Sequence, residues 1–149
     1  MLSSRVRGEA RETALTHVAV AEEIAATGHP IDPPAVVLSG GETTVTVTGD
    51  GSGGPNQEFA LAAAIEQADS DLLADAVVAA IDTDGIDGAS DVAGAIVDGE
   101  TVEDAAAAKS ALDDNDAGGY FGTRDALIGT GPTGTNVNDL RVLVVQANR

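Results

Sequence analysis

Apolar residues recur at helical spacing near the start of the chain, which predicts an amphipathic first helix. Ser3 or Ser4 has the side chain of a helix N-cap, and Gly28 with Pro30 predicts the end of the helix. The apolar stripe of this helix consists of Val6, Ala10, Ala14, Val18 and Ala21.

Strand patterns follow this helix. The apolar runs 35–38 and 140–145 predict strands, and the run 76–81 is apolar throughout, which is typical of a strand covered on both faces. Gly40-Gly41 predicts a turn after the first of these strands. Thr and Val alternate within residues 43–48, which predicts a strand with one wet face. A further short strand is predicted over residues 92–97.

Two more helices alternate with these strands. Pro55 is suited to the first turn of a helix that reaches about Glu66. Thr101 with Asp104 resembles a capping box opening an Ala-rich helix to Leu112. This alternation predicts an α/β fold of three layers, with a mixed or mostly parallel sheet and helices on both faces.

Composition fits one globular domain with an aliphatic core. The chain has 149 residues, of which 43% are hydrophobic and only 2% aromatic, so Ala, Val, Leu and Ile must form the core. Cysteine is absent, which excludes disulfides, zinc–thiolate sites and thiol catalysis.

The charge balance is strongly acidic. Asp and Glu number 25 against 7 basic residues, and the net charge of -18 argues against nucleic-acid or anionic-membrane partners. Abundant Asp with a single lysine is typical of halophilic proteins, so we expect stability to rise with KCl. Since neither a signal-peptide core nor a membrane-length apolar run is present, we expect a cytoplasmic protein.

Four segments rich in Gly, Asp and Thr lie beside or shortly after the predicted strands. At strand ends, such polar segments build the ligand sites of open α/β sheets. The segments are residues 40–44, 51–58, 82–88 and 131–139.

The second segment has two interpretations. The glycine spacing in residues 49–54 matches a dinucleotide-binding fingerprint between a strand and a helix. However, Asp50 would repel a pyrophosphate, and Asp82 lies too far along the chain to bind the ribose. A tight turn, or another anion site at the helix that starts near Pro55, is the alternative.

The remaining polar groups also admit structural explanations. Residues 56–58 either cap the helix or bind a polar ligand. Asp82, Asp84 and Asp87 either hold Mg²⁺ through water, orient a hydroxyl substrate or form a polar turn, and their spacing is wrong for a calcium loop. Residues 130–139 either bind phosphate or sugar hydroxyls or connect two strands.

Basic and imidazole groups are scarce near these segments. Lys109 lies in a predicted helix without the glycines of a phosphate-binding loop. His17 and His29 lie on or just beyond the first helix, so neither is a good general base. Arg124 and Arg141 are the cations near the later segments, and Arg141 is predicted on the wet face of its strand.

Taken together and in this order, the four segments resemble the MOFRL family, the C-terminal part of class II glycerate 2-kinases. The family pattern runs GGETT, then GG-x-NQE, then TDG-x-DG, then TGPTGTNVND, and this chain matches it from Gly40 to Asp139. The resemblance covers residues 35–149, and residues 1–34 resemble a connector helix from a preceding domain. Relatives often have basic residues flanking the glycine pair of the second motif, Gly53-Gly54, where this chain has Ser52 and Pro55.

The resemblance implies ATP-dependent phosphorylation of D-glycerate to 2-phosphoglycerate, with Mg²⁺, in a cleft shared with an N-terminal Rossmann-like domain. Alone, the chain is then expected to be inactive, and homo-oligomerisation stays open. Some members of this family are named hydroxypyruvate reductases. The alternatives are therefore an NAD(P)-dependent hydroxypyruvate reductase or a stand-alone small-molecule-binding module without turnover.

The resemblance also implies roles for individual residues. Glu42, Glu58 and Asp84 are the expected catalytic residues, and Asp82 with Asp84 is expected to hold the metal through water. The expected substrate- or phosphate-binding residues are Gly40, Gly41, Thr43, Thr44, Gly53, Gly54, Asn56, Gln57, Thr83, Asp87, Thr133, Gly134, Thr135, Asn136 and Asn138.

Overall fold

A computed structural model describes residues 1–147 as a six-stranded sheet with four α-helices and one 3₁₀ turn, Asp71–Leu73. The strands are β1 Ser3–Glu9, β2 Ala35–Thr44, β3 Val77–Asp82, β4 Gly94–Asp98, β5 Leu127–Ile128 and β6 Asp139–Val145. The helices are α1 Ala10–Thr27, α2 Pro55–Ala68, α3 Ala105–Asp113 and α4 Ala117–Phe121.

The chain begins with a strand, so the predicted helix start at Ser3 or Ser4 is wrong. Residues 3–9 pair in parallel with β2, and α1 begins only at Ala10. Gly8 has a φ of 110°, which turns the chain from strand to helix. The end of the helix is confirmed, because Gly28 adopts the left-handed conformation and donates its N–H to Ile24 O.

Strand β2 runs through the glycine pair instead of turning there. At Gly41, φ is 137° and the backbone of Val6 in β1 lies where a Cβ would project, so only glycine fits. The predicted strand over 43–48 ends early, at Thr44. Its continuation is diverted because the Thr46 N–H donates to Glu9 Oε2 at 2.9 Å.

The strand order β1-β2-β6-β3-β4-β5 makes the sheet mixed, which confirms the α/β class. Within residues 1–147, only β1 and β2 pair in parallel and the other four pairings are antiparallel, so the sheet is not mostly parallel. Because β1 and α1 are built into this sheet and core, residues 3–27 form one folded unit with the rest. Whether they connect to a preceding domain stays a prediction.

The two faces of the sheet differ in burial. The buried face carries one cross-strand row of residues, each at most 8% exposed: Val37, Leu143, Val78 and Val97. Helices α1 and α2 cover this face, and α3 and α4 pack on α2. On the opposite face, Val36 is 59% and Ile96 43% exposed. Within residues 1–147 the fold therefore has two layers, and the expected helices on a second face are not found there.

The remaining elements follow the predicted pattern with shifted bounds. Pro55 starts α2, as predicted, and β6 coincides with the predicted last strand. Asp104, not Thr101, caps α3, because its Oδ1 accepts the N–H groups of Ala106 and Ala107. The core is rich in alanine around Phe59 and Phe121. None of the helices in the described part is long and apolar enough to span a membrane.

Candidate functional site

All four polar segments meet at one end of the sheet. Gly41 of β2 lies opposite Asp139 of β6, which in turn lies opposite Asp82 of β3. Helix α2 begins beside them, at Pro55. This convergence is a product of topology, because β2 and β3 end where the antiparallel β6 begins.

Asp139 is the centre of a set of buried side chains at this end. Its Oδ2 accepts the Thr43 N–H at 2.9 Å and an ion-pair hydrogen bond from Arg141, and its Oδ1 accepts from Asn56 Nδ2 at 2.8 Å. Arg141 Nη2 also donates to Thr43 Oγ1 at 2.7 Å. Three motifs are thereby joined through one carboxylate.

Arg141 lies under the helices rather than on the wet face that its sequence position predicted. It is 0% exposed, and its guanidinium carbon lies 5.0 Å from the centre of the Phe59 ring. Burial lowers the pKa of the Arg141 guanidinium, and the Asp139 carboxylate opposes that shift. A charge in this position needs its partner, so Asp139 and Arg141 function as a unit.

Asp87 caps α2 from a separate loop. Its carboxylate accepts the backbone N–H groups of Asn56 and Gln57 at 2.9 and 2.8 Å, and their side-chain amides at 3.1 and 3.0 Å. Gly54, the N-cap residue, has no side chain for this task. Burial raises the pKa of Asp87, while the four N–H donors lower it by a smaller amount. We call Thr43, Asn56, Gln57, Asp87, Asp139 and Arg141 the buried network.

Glu58 has both carboxylate oxygens engaged. Oε1 accepts from Arg11 Nε at 2.9 Å, and Oε2 accepts from Asn115 Nδ2 at 3.1 Å. Glu58 is 3% exposed, and it raises the pKa of Arg11 by hydrogen bonding. In this structure Glu58 links α1 to the loop before α4, which is a positioning role.

The Gly-rich loop is fastened to an acidic segment. The Gly51 N–H donates to Asp114 O at 3.0 Å, and the Ser52 N–H donates to Asp116 Oδ1 at 2.9 Å. A Cβ on Gly51 would collide with both acidic residues. Because these amides already donate to a backbone carbonyl and a carboxylate of an acidic segment, the loop is a poor pyrophosphate cradle, which disfavours the dinucleotide interpretation.

The loop 130–138 packs on the loop after β3. Thr133 Oγ1 donates to Thr83 O at 2.6 Å, the Val137 N–H donates to Thr83 Oγ1 at 2.8 Å, and Asn136 Nδ2 donates to Asp84 Oδ2 at 3.0 Å. Every residue from 131 to 138 is exposed. Unlike the buried network, the residues of this loop face solvent and are accessible to a ligand, while Thr83 and Asp84 beneath them are half-buried.

Asp82 and Asp84 form a close pair of carboxylates. The Asp84 N–H donates to Asp82 Oδ1 at 3.0 Å, and Asp84 Oδ1 accepts the Ile86 N–H at 2.9 Å. Burial raises the pKa of Asp82, and the charges of Asp84 and Asp139 add to the increase. A cation beside this pair would relieve that repulsion. Within residues 1–147, however, no group of three metal-binding side chains gathers, so these two provide no closed protein cage.

An open groove of about 560 Å³ lies between β1 and the end of β2. Glu42, Thr44 and Asn138 line it on the motif side, and all three are exposed. With the loops above, they complete a solvent-facing surface at this end of the sheet. We call Glu42, Thr44, Thr83, Asp84, Thr133, Thr135, Asn136 and Asn138 the exposed rim. Thr83 and Asp84 are half-buried at its base, and the other members are exposed.

The structure thus divides the predicted site residues into two sets. Thr43, Asn56, Gln57, Glu58 and Asp87 are buried and bonded to protein groups. Gly40, Gly41 and Gly53 are half-buried, Gly54 is buried, and Gly134 lies in the exposed loop. Sequence reasoning missed the residues that position the buried set, because their partners are distant in sequence: Arg11, Asn115, Asp139 and Arg141.

Comparison with known proteins places the chain in a family. The sequence model of the MOFRL family matches residues 35–139, and the chain belongs to this family. The chain is 40% identical to a glycerate 2-kinase of Pyrococcus horikoshii, over 100% of the chain and 34% of that relative. The chain is also 38% identical to a protein of Agrobacterium vitis that is named a hydroxypyruvate reductase. That match covers 97% of this chain and 38% of the relative.

The fold is shared with a solved kinase. A crystal structure of glycerate kinase from Thermotoga maritima superimposes with a TM-score of 0.89 at 38% identity, covering 96% of this chain and 35% of that protein. The chain therefore spans about a third of the length of these relatives.

Proposed function

We propose that this chain is the C-terminal domain of a glycerate 2-kinase, which transfers the γ-phosphoryl group of ATP to the 2-hydroxyl of D-glycerate. The observation that carries the proposal is the convergence of all four motifs at one end of the sheet. Relatives of that name match nearly the whole chain, which supports it.

The exposed rim and the buried network have different roles in this reaction. Phosphoryl transfer needs aligned reactants and charge stabilisation more than covalent chemistry. The exposed rim supplies groups that reach a ligand: Glu42 accepts the hydroxyl proton, and Thr133, Thr135 and Asn136 bind phosphate or glycerate oxygens. The buried network, with Glu58, holds these loops in place from below.

Asp82 and Asp84 suit a Mg²⁺ ion that is bound mostly through water and substrate phosphate. Mg²⁺ typically takes one or two protein carboxylates and completes its shell in this way. When bound, the ion would neutralise charge on the phosphates. The raised pKa of Asp82 supports the assignment, since a cation would favour its ionised form.

The remaining groups of the cleft come from a partner domain. The only lysine, Lys109, lies exposed in α3 and outside any phosphate-binding loop. We infer that an N-terminal Rossmann-like domain, within the extra length of the relatives, completes the ATP site. The protein functions in a salt-rich cytoplasm, which its net charge of -18 supports.

Joining this chain to the N-terminal two thirds of the Pyrococcus horikoshii relative tests the proposal. We expect ATP-dependent formation of 2-phosphoglycerate by the joined enzyme and none by the 149-residue chain alone. Turnover by the chain alone would contradict the proposal that a second domain completes the active site. If the joined enzyme folds but reduces hydroxypyruvate with NADH, or binds without turnover, the reductase or binding-module alternative is correct.

A further inference from the structure

In the part of the chain that the structure describes, two exposed arginines of β1 lack the carboxylate partners that other arginines of this acidic chain have. Arg5 and Arg7 lie on the edge strand β1, and both are exposed. Among the described residues, neither guanidinium has an ion-pair or side-chain hydrogen-bond partner, whereas Arg11 and Arg141 both have carboxylate partners. In a chain with 25 acidic residues, two unpaired arginines at one place are unexpected.

Their position connects them to the motifs. Arg7 lies directly opposite Glu42 in the parallel pairing of β1 with β2. Both arginines line the open groove of about 560 Å³, together with Glu42, Thr44 and Asn138. The groove therefore combines cationic donors with a carboxylate, a hydroxyl and an amide.

The charges of the groove select among anions. Arg5, Arg7 and Glu42 sum to one positive charge, which matches a singly charged carboxylate. A phosphate carries about -1.5 to -2 near neutral pH, so the groove would leave part of its charge uncompensated. Guanidinium groups bind carboxylates in a bidentate manner, and the side chains of Glu42, Thr44 and Asn138 provide partners for hydroxyl groups.

We propose that this groove binds a small hydroxy acid, with Arg5 and Arg7 on its carboxylate and Glu42 and Asn138 on its hydroxyl groups. Taking D-glycerate as that acid rests on the proposed function. Neither arginine belongs to the four motifs, so the site would extend beyond them onto β1. The competing explanation is that charged residues on an edge strand prevent strand-to-strand aggregation.

Binding by the 149-residue chain tests the proposal directly. In an NMR titration at fixed ionic strength, D-glycerate should shift the amides of residues 5–8 and 41–44 saturably. Glycerol, which lacks the carboxylate, should leave these amides unshifted, and inorganic phosphate should bind more weakly than D-glycerate. Stronger binding of phosphate than of D-glycerate would overturn the carboxylate assignment.

Variants separate binding from edge protection. The Arg5→Gln/Arg7→Gln double variant should weaken D-glycerate binding at least tenfold, or about 1.4 kcal/mol. The control is Lys109→Gln, which removes another exposed cation, on α3, and should leave D-glycerate binding unchanged. Arg7→Lys keeps the charge of the edge strand but loses the planar fork, and should weaken binding while the oligomeric state stays that of the wild type. Wild-type affinity in the double variant would overturn the site.

The joined enzyme separates this proposal from the proposed function. There, the double variant should raise KM for D-glycerate at least tenfold and leave KM for ATP unchanged. An unchanged KM for D-glycerate would refute the groove and leave the kinase function intact. Conversely, saturable D-glycerate binding at the groove, with no phosphorylation by a folded joined enzyme, would refute the kinase function alone.

Discussion

The buried network and the exposed rim consist of the same kinds of residue, yet the fold uses them differently. Asp87 and Asp84 are three positions apart in one motif. Asp87 is 0% exposed and accepts four N–H groups of α2, whereas Asp84 lies half-buried beneath an exposed loop and contacts Asn136. A motif that looks like one binding signature is therefore partly scaffold and partly ligand surface.

This division has a physical cause. A buried carboxylate is tolerated only when hydrogen bonds or a counter-charge replace its hydration, so Asp87 and Asp139 are fully committed to protein partners. The groups of the exposed rim keep part of their hydration, so a ligand can reach them. Substitutions in the two sets should therefore move different measurements.

The largest effect on the free energy of unfolding is expected from Asp139→Asn. The variant leaves the Arg141 charge buried without its counter-ion, which typically costs about 3 to 5 kcal/mol. Urea denaturation followed by circular dichroism measures the loss. Asp125→Asn, at an exposed site, is the matched control and should be near neutral. A loss below 1 kcal/mol for Asp139→Asn would argue against the buried network.

A smaller loss, about 1 to 3 kcal/mol, is expected from Asp87→Asn, because its new amide would face the donors of α2. The same denaturation experiment applies. Asp104→Asn is the control, since Asp104 caps α3 while exposed and Asn caps a helix about as well as Asp. Equal losses in the two variants would mean that Asp87 is an ordinary cap.

A pH effect is expected from His17, which lies buried between Ser39 and Thr13. Its Nε2 lies 2.7 Å from Ser39 Oγ and its Nδ1 lies 2.7 Å from Thr13 O. Burial lowers the pKa of His17, and the Arg141 charge adds to the decrease. The unfolded chain therefore takes up a proton first, and stability falls as the pH drops below about 6.5.

His17→Gln should remove the contribution of this imidazole to the pH dependence of the free energy of unfolding. That contribution has a slope of at most about 1.4 kcal/mol per pH unit. Denaturation midpoints between pH 7 and pH 5, compared with wild type, measure the change. His29→Gln, at an exposed position, should keep the wild-type slope. If both variants behave alike, the buried imidazole does not couple folding to pH.

The smallest effect on stability is expected from Asp84→Asn in the exposed rim, under about 1 kcal/mol. In the joined enzyme, the same variant should lower kcat on the order of a hundredfold, because a positioned charge is lost from the reaction site. Melts and kinetics on one preparation distinguish the two effects. If Asp84→Asn instead lost as much stability as Asp87→Asn and kept the wild-type kcat, Asp84 would have a structural role and no role in the reaction.

Local patterns predicted the parts of the fold that depend on local physics. The end of α1 at Gly28, the start of α2 at Pro55 and strand β6 agree with the structure. The first strand was missed because residues 3–9 carry no strand periodicity, and their pairing with β2 provides the reason for their extended form. In the same way, Gly40-Gly41 looked like a turn, and the close approach of β1 explains the glycine at position 41.

The sequence by itself determined the α/β class, the acidic surface and the four motifs, because periodicity, charge and spacing are properties of neighbouring positions. Only the tertiary structure decided which motif residues are accessible, since burial depends on partners distant in the chain. Arg141 shows why: its sequence position predicted the wet face of the strand, whereas contacts with Asp139, Thr43 and Phe59 place it inside.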